Sequence, residues 1–270
     1  MKITVLVDNN ESKGWHSEHG LALLLEHLDG YLLFDTGAGK ATPFNLIKAG
    51  FRPELLKMIV LSHGHYDHTG GLSDALLRAG KTEIFCGVDI TKTRFSLHPG
   101  MPVKNLTMPE SSIAALRSLP SNQVHWIKTF SALNANIFVT GAIARHSFED
   151  CGGPFFLDRE GTRSDLIDDE IALLTRSGIL IQGCCHAGII NTVEHCKHNR
   201  PEINIRIIIG GLHLLHASKD RLKKTAEYLN SMNLEKLILL HCTGAEAADY
   251  LKKHLLCDVV IGRTGDVYEQ

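Results

Sequence analysis

The chain lacks any C-x-x-C pair, any surplus of charge of one sign, any low-complexity stretch and any internal repeat. Each absence removes a class of protein. Seven cysteines, at 86, 151, 184, 185, 196, 242 and 257, are odd in number and share no spacing, so they read as reduced thiols and not as a disulfide framework. Lysine plus arginine (28) nearly cancels aspartate plus glutamate (30), leaving a net charge of -2. Nothing in that balance demands nucleic acid or an anionic membrane. Without a repeating period, solenoids and propellers are excluded. The first apolar run meets Asp8 too soon for a signal-peptide core or a membrane span. The expectation is a cytoplasmic protein with a small-molecule substrate, no nucleic acid and no membrane partner; oligomeric state is not legible. With 270 residues, 44% hydrophobic and 21% charged, the chain is long enough for one large core, and a single domain over 1–270 is expected.

What the chain has in quantity is histidine, sixteen in all. Imidazole is the commonest metal ligand and the usual acid or base near neutral pH, so the question is whether these residues cluster. Apolar patterning supplies the frame. Lys2 to Val7 reads as a strand, and the runs Leu21 to Leu25 and Tyr31 to Phe34 form a hairpin across Leu28-Asp29-Gly30, a tight-turn signal. Pro43 to Ala49 has helical spacing, and Lys57 to Leu61 is a buried strand running straight into Ser62-His63-Gly64-His65. Residues 88–122, with four prolines, read as an insertion or lid. A second series follows: strands near 124–127, 136–140, 170–174 and 179–183, then helices at 188–198, 218–232 and 245–255 alternating with strands at 204–209, 236–240 and 258–261. Hairpins combined with strand-helix alternation predict an α/β (α+β) protein with mixed sheets in a layered sandwich.

The chemistry is concentrated in Ser62-His63-Gly64-His65-Tyr66-Asp67-His68-Thr69-Gly70-Gly71. Three histidines and an aspartate fall within six residues after a buried strand. Imidazole and carboxylate together suit zinc, iron or manganese, and glycines let alternate side chains face different ions. Other histidines also stand at strand ends: His186 in Gly183-Cys184-Cys185-His186-Ala187-Gly188, and His241 in Leu240-His241-Cys242-Thr243-Gly244. Cys184 and Cys185 read as packing residues, with Cys185 a weak candidate for supporting the site.

His63, His65, Asp67 and His68 spell H-x-H-x-D-H, and here the chain resembles the metallo-β-lactamase-fold superfamily of metal-dependent hydrolases. The flanking segments, from Val7-Asp8-Asn9-Asn10 and Glu18-His19-Gly20 to Cys185-His186-Ala187-Gly188 and His241-Cys242-Thr243-Gly244, resemble the subgroup of 7,8-dihydropterin-6-methyl-4-(β-D-ribofuranosyl)aminobenzene-5'-phosphate synthase. The resemblance implies a four-layer αββα sandwich and two divalent metal ions, zinc first with manganese or iron as alternatives. His63, His65 and His186 would hold one; Asp67, His68 and His241 the other. Asp35, in Phe34-Asp35-Thr36-Gly37, matches the strand-end aspartate that supports the metal loop through hydrogen bonds.

One motif departs from the pattern. Where the superfamily places a metal-bridging aspartate, this chain has Ile209-Gly210-Gly211-Leu212-His213-Leu214. His213 is the nearest substitute, as a ligand or as an acid or base. Asp67 and His213 are the expected catalytic residues. Loops over the strand ends supply candidate substrate contacts at Asn9, Asn10, Glu18, His19, Tyr66, Arg145, His146 and Glu149, with Lys92 and Arg94 from the insertion.

The leading expectation is hydrolysis of a small phosphate-containing molecule by metal-activated water. Two alternatives stand beside it. One is a pterin-type transferase, in which an arylamine displaces pyrophosphate; the other is a redox or non-catalytic metal protein.

Overall fold

The structure is a computed structural model that describes residues 1–27 and 30–269. It divides into two compact units: residues 1–126, 155–164 and 262–270 form the first, and residues 127–154 and 165–261 the second.

The first unit is built on a seven-stranded mixed sheet. Its order is Val267–Glu269, Lys2–Val7, Ala22–His27, Gly30–Phe34, Leu56–Leu61, Glu83–Gly87 and Val124–Ile127. The hairpin read from the sequence is present, pairing Leu23 with Phe34 through His27 with Gly30; the conformation of its turn at Leu28-Asp29 lies outside the described residues. Past this hairpin the pairing becomes parallel, Phe34 beside Val60 and Leu61 beside Cys86. Parallel neighbours bring their carboxyl ends to the same edge. Asp35 and the 62–71 loop therefore emerge side by side. Helices Thr42–Lys48, Leu72–Arg78 and Glu110–Ser118 contribute Leu46, Leu72, Ala75, Ile113 and Leu116 to one core with Leu24, Leu33, Ile59 and Ile84 of the sheet. The proline-rich 88–122 segment holds that third helix and two short strands, Phe95–Ser96 and Lys104–Asn105.

The second unit repeats the plan with its own seven-stranded sheet, in the order Asp258–Ile261, Lys236–Leu239, Ile207–Gly210, Ile179–Gln182, Leu173–Thr175, Ile137–Val139 and Ser131–Ala132. Its four leading strands run parallel, with Gln182 beside Gly210 and Gly210 beside Leu239. The inner parallel strands Ile179–Gln182 and Ile207–Gly210 are buried on both faces, which explains their runs of Ile and Leu, whereas the edge strand Asp258–Ile261 is partly exposed. Helices Ile189–Asn199, Lys219–Asn230 and Ala245–His254 pack Val193, Cys196, Ala226, Leu229, Ala248 and Leu251 against the sheet. Again the carboxyl ends converge, and they carry His186, His213 and His241 on the turns that follow.

No helix among the described residues is long and apolar enough to cross a membrane.

Candidate functional site

In the first unit the motif loop is fastened by its own backbone to its neighbours. The Leu21 amide donates to the Asp67 carbonyl (3.2 Å), the Thr36 amide to the His68 carbonyl (2.7 Å) and the Gly70 amide to the Gly37 carbonyl (2.9 Å). From the 88–122 segment, Leu106 accepts the Tyr66 amide (2.9 Å), and Thr107 bridges to His65. Thus the segment expected as a lid forms a wall of this unit, with the Arg94 side chain fully buried in it. Lys92 lies on the surface, paired with Asp89 at 2.9 Å.

Within that frame His63, His65, Asp67 and His68 are all buried. His63 Nε2 lies 3.0 Å from His65 Nδ1, and the His63 ring centre lies 4.2 Å from that of His68. Ser62 Oγ meets His63 Nδ1 at 2.9 Å, which leaves Nε2 as the nitrogen suited to a metal. Asp35 performs the same service for His68: its Oδ2 is 2.7 Å from His68 Nδ1 and accepts the Ser62 hydroxyl at 2.7 Å, while Oδ1 accepts the Ser62 amide at 2.7 Å. Crowded imidazoles oriented from behind by hydroxyl and carboxylate fit a divalent cation. His19, half exposed, places Nε2 3.1 Å from Asp67 Oδ2. Tyr66 is half-buried, with the Lys104 ammonium over its ring. Asn9, Asn10 and Glu18 are occupied in shaping loops: Asn9 accepts the Gly20 amide, Asn10 donates to the Gly262 carbonyl, and Glu18 accepts the Gly39 and Lys40 amides.

The second unit presents its own donor set. The candidate ligand atoms of Cys184, His186 and His213 all lie within 4.8 Å of one another, as do those of Cys184, His241 and Cys242. A set mixing imidazole and thiol fits a divalent metal such as zinc or iron. His213 and His241 sit at φ of +45° and +48°, Cys185 at +62°, and Asp35 in the first unit at +59°. Left-handed backbone costs a non-glycine residue roughly 1–2 kcal/mol, and its concentration at strand ends bearing candidate ligands marks sites held against local preference. Cys185 turns its side chain into the helix-side core, 3.6 Å from Thr192 Oγ1, so the packing expectation holds for it; Cys184 is the one beside the histidines.

His186 is clamped through its backbone by residues that patterning did not single out for that purpose. The buried Glu170 carboxylate accepts the amides of His186 and Ala187 at 2.6 Å each, and burial raises its pKa to about 7. The Arg145 guanidinium donates to the His186 carbonyl at 2.6 Å and also to the Leu166 carbonyl. The Cys151 carbonyl lies 2.8 Å from His186 Nδ1. Glu149 accepts the Ile190 and Asn191 amides at the start of helix Ile189–Asn199, and burial raises its pKa as well. Arg145 and Glu149 therefore hold the protein's own backbone. His146 is exposed, its amide bound to Asn191.

Beyond this cluster lies a cavity of about 600 Å³ lined by Phe148, Asp150, His216, Ser218, Arg221 and Lys224. Its wall at Asp150–Gly153 touches His213, because a side chain at Gly152 would run into the His213 ring.

Residues 18–95 match the model of the metallo-beta-lactamase superfamily. The chain is 30% identical over 266 residues to an uncharacterized protein of Methanocaldococcus jannaschii, covering 98% of each. It is also 30% identical to the 7,8-dihydropterin-6-methyl-4-(β-D-ribofuranosyl)-aminobenzene-5'-phosphate synthase of the same organism, covering 86% of this chain and 83% of the synthase. The chain belongs to the metallo-β-lactamase superfamily. A crystal structure of a metal-dependent hydrolase of the β-lactamase superfamily matches it with a TM-score of 0.82 and 28% identity, covering 100% of this chain and 99% of the other. Human tRNase Z, short form, shares the fold with a TM-score of 0.56 at 15% identity. The mixed α/β architecture is thus that of the metallo-β-lactamase fold, and the chain is an enzyme of this superfamily.

The hydrolase expectation is corrected by these findings. The relative carries the name of a synthase, which supports the transferase alternative over hydrolysis. The motifs could not decide this, because the same ligands activate water or hold a phosphorylated leaving group.

Proposed function

We propose that this protein is a metal-dependent transferase that forms a carbon–nitrogen bond between a dihydropterin and an arylamine phosphate. The observation that carries the reading is the 30% identity to the synthase over 86% of this chain. In the reaction, the amine nitrogen attacks the methylene carbon attached to the pterin, the carbon–oxygen bond to diphosphate breaks, and pyrophosphate and one proton leave.

In this reading His63, His65, Asp67 and His68 are metal ligands of the first unit, and His186 and His241 of the second. Two ions are proposed, zinc before manganese or iron. When bound, a divalent metal supplies Lewis acidity toward the diphosphate oxygens. Asp35 and Ser62 fix the tautomers of His68 and His63 from behind. Asp67 orients the amine, and the adjacent His19 imidazole, 3.1 Å away, is placed to share the proton released. His213 serves as an acid or base or as a further ligand. The cavity beside it carries the half-exposed Phe148 ring, on which an aromatic substrate would stack, beside two ion pairs, Arg221 with Asp150 and Lys224 with Asp220.

The test incubates the zinc-loaded protein with a dihydropterin 6-methyl diphosphate and 4-(β-D-ribofuranosyl)aminobenzene 5'-phosphate, with mass spectrometry of the products. The secondary amine adduct is expected, and none after treatment with a chelator. A product bearing a hydroxymethyl group in place of the amine adduct would sink the reading.

A further inference from the structure

The fourth-motif turn of this chain, Ile209-Gly210-Gly211-Leu212-His213-Leu214, has no carboxylate, and the space that a side chain would take at Gly211 is filled. A Cβ added to Gly211 would lie 2.5 Å from Cys242 Sγ and 2.7 Å from the Gly183 carbonyl oxygen. Non-bonded atoms of that size settle near 3.5–4.0 Å, so a side chain at 211 and the sulfur of residue 242 exclude one another. The Gly183 carbonyl and the Cys242 sulfur together occupy the space that a side chain at 211 would need. Cys184 belongs both to the group with His241 and Cys242 and to the group with His186 and His213, in each case with all candidate ligand atoms within 4.8 Å of one another. It is buried, whereas its neighbour Cys185 faces the opposite way, into the core.

Resting on the metal-dependent reading above, we infer that Cys184 and Cys242 are metal ligands, their thiolates supplying the anionic charge that an aspartate supplies at the fourth motif elsewhere in the superfamily. On binding, each thiol gives its proton to solvent and its sulfur displaces a water from the ion; no oxidant is involved. Two thiolates balance the charge of a divalent cation that neutral imidazoles alone would leave uncompensated in a buried site. They also select the ion. Soft sulfur donors favour zinc or iron over manganese and magnesium, so a pair of them narrows the choice that histidine and aspartate leave open.

The experiment is X-ray absorption on the full chain, purified under reducing conditions and loaded with zinc, paired with the ultraviolet spectrum of the cobalt-substituted protein. A sulfur shell at about 2.3 Å and a sulfur-to-cobalt charge-transfer band are expected in the wild type. Both persist in Cys257→Ser, which is remote from the cluster, and both weaken in Cys184→Ser and Cys242→Ser, with at least a tenfold loss of zinc affinity. Zinc at full occupancy surrounded only by nitrogen and oxygen overturns the sulfur assignment while leaving the metal-dependent reading intact. A wild-type protein that retains no zinc or cobalt overturns both. Should either serine variant fail to fold, the wild-type spectra decide alone.

Discussion

Replacing Asp35 with asparagine changes one atom in a fully buried carboxylate and has a consequence that can be worked out atom by atom. The carboxylate receives three contacts at 2.7 Å: the Ser62 amide on Oδ1, and the Ser62 hydroxyl and His68 Nδ1 on Oδ2. The Ser62 amide can only donate, so the asparagine oxygen must stay at the Oδ1 position, and its NH2 then faces Ser62 Oγ and His68 Nδ1. The hydroxyl can turn and accept. His68 can accept on Nδ1 only by moving its proton to Nε2, the nitrogen through which it would bind metal. Asparagine tolerates the left-handed backbone at this position, so no conformational strain is added. The expected outcome is a folded protein destabilised by about 1–3 kcal/mol. Its zinc affinity falls by roughly 10–100-fold, or about 1.4–2.7 kcal/mol. Chelator competition with the purified variant measures the affinity, and urea unfolding of the metal-free protein measures the stability. Affinity within twofold of the wild type would refute the reasoning.

Two further outcomes follow from the second unit. Glu170 has its pKa raised from 4.5 to about 7 chiefly by burial, with Asp169 adding to the rise and the two amides and Arg145 opposing it. Because the folded value exceeds the unfolded one, its contribution is fully present below pH 4.5 and is lost as pH rises through 7, about 3 kcal/mol at 1.36 kcal/mol per pH unit. Urea unfolding of the metal-free protein between pH 4.5 and 8 is expected to show that decline in the wild type and its absence in Glu170→Gln; equal slopes would exclude Glu170 as its source. Gly211→Asp is expected to lower stability by more than 1 kcal/mol because of its clash with Cys242, and adding Cys242→Ala should restore part of the loss. Strictly additive effects in that cycle would mean that the two side chains do not compete for the same space.

The frame of this fold was legible because its inner parallel strands are buried on both faces and their helices are amphipathic, so runs such as Ile207–Gly210 and helices such as Lys219–Asn230 announce themselves in composition. Position at a strand end likewise singled out His186 and His241, which lie buried on the turns after Ile179–Gln182 and Lys236–Leu239. Glu170 to Ala172 was read as strand and is not, because the Glu170 side chain is drawn to the His186 backbone sixteen residues away. Contacts of that kind leave no period in the sequence. The same applies to Arg145 on the His186 carbonyl, and to Cys242 beside Cys184, 58 residues apart. A carboxylate or guanidinium spent on another segment's backbone looks, in the sequence, like one offered to a substrate. Choice of nucleophile was hidden for a different reason: water and an amine approach the same Lewis acid, and ligand motifs describe only the acid.

The central claim is tested most directly by measuring pyrophosphate release from a dihydropterin 6-methyl diphosphate by the zinc-loaded protein, with and without the arylamine phosphate. Transfer predicts release that depends on the amine and matches adduct formation mole for mole. Release at the same rate without amine, with oxygen from labelled water in the pterin product, would contradict it.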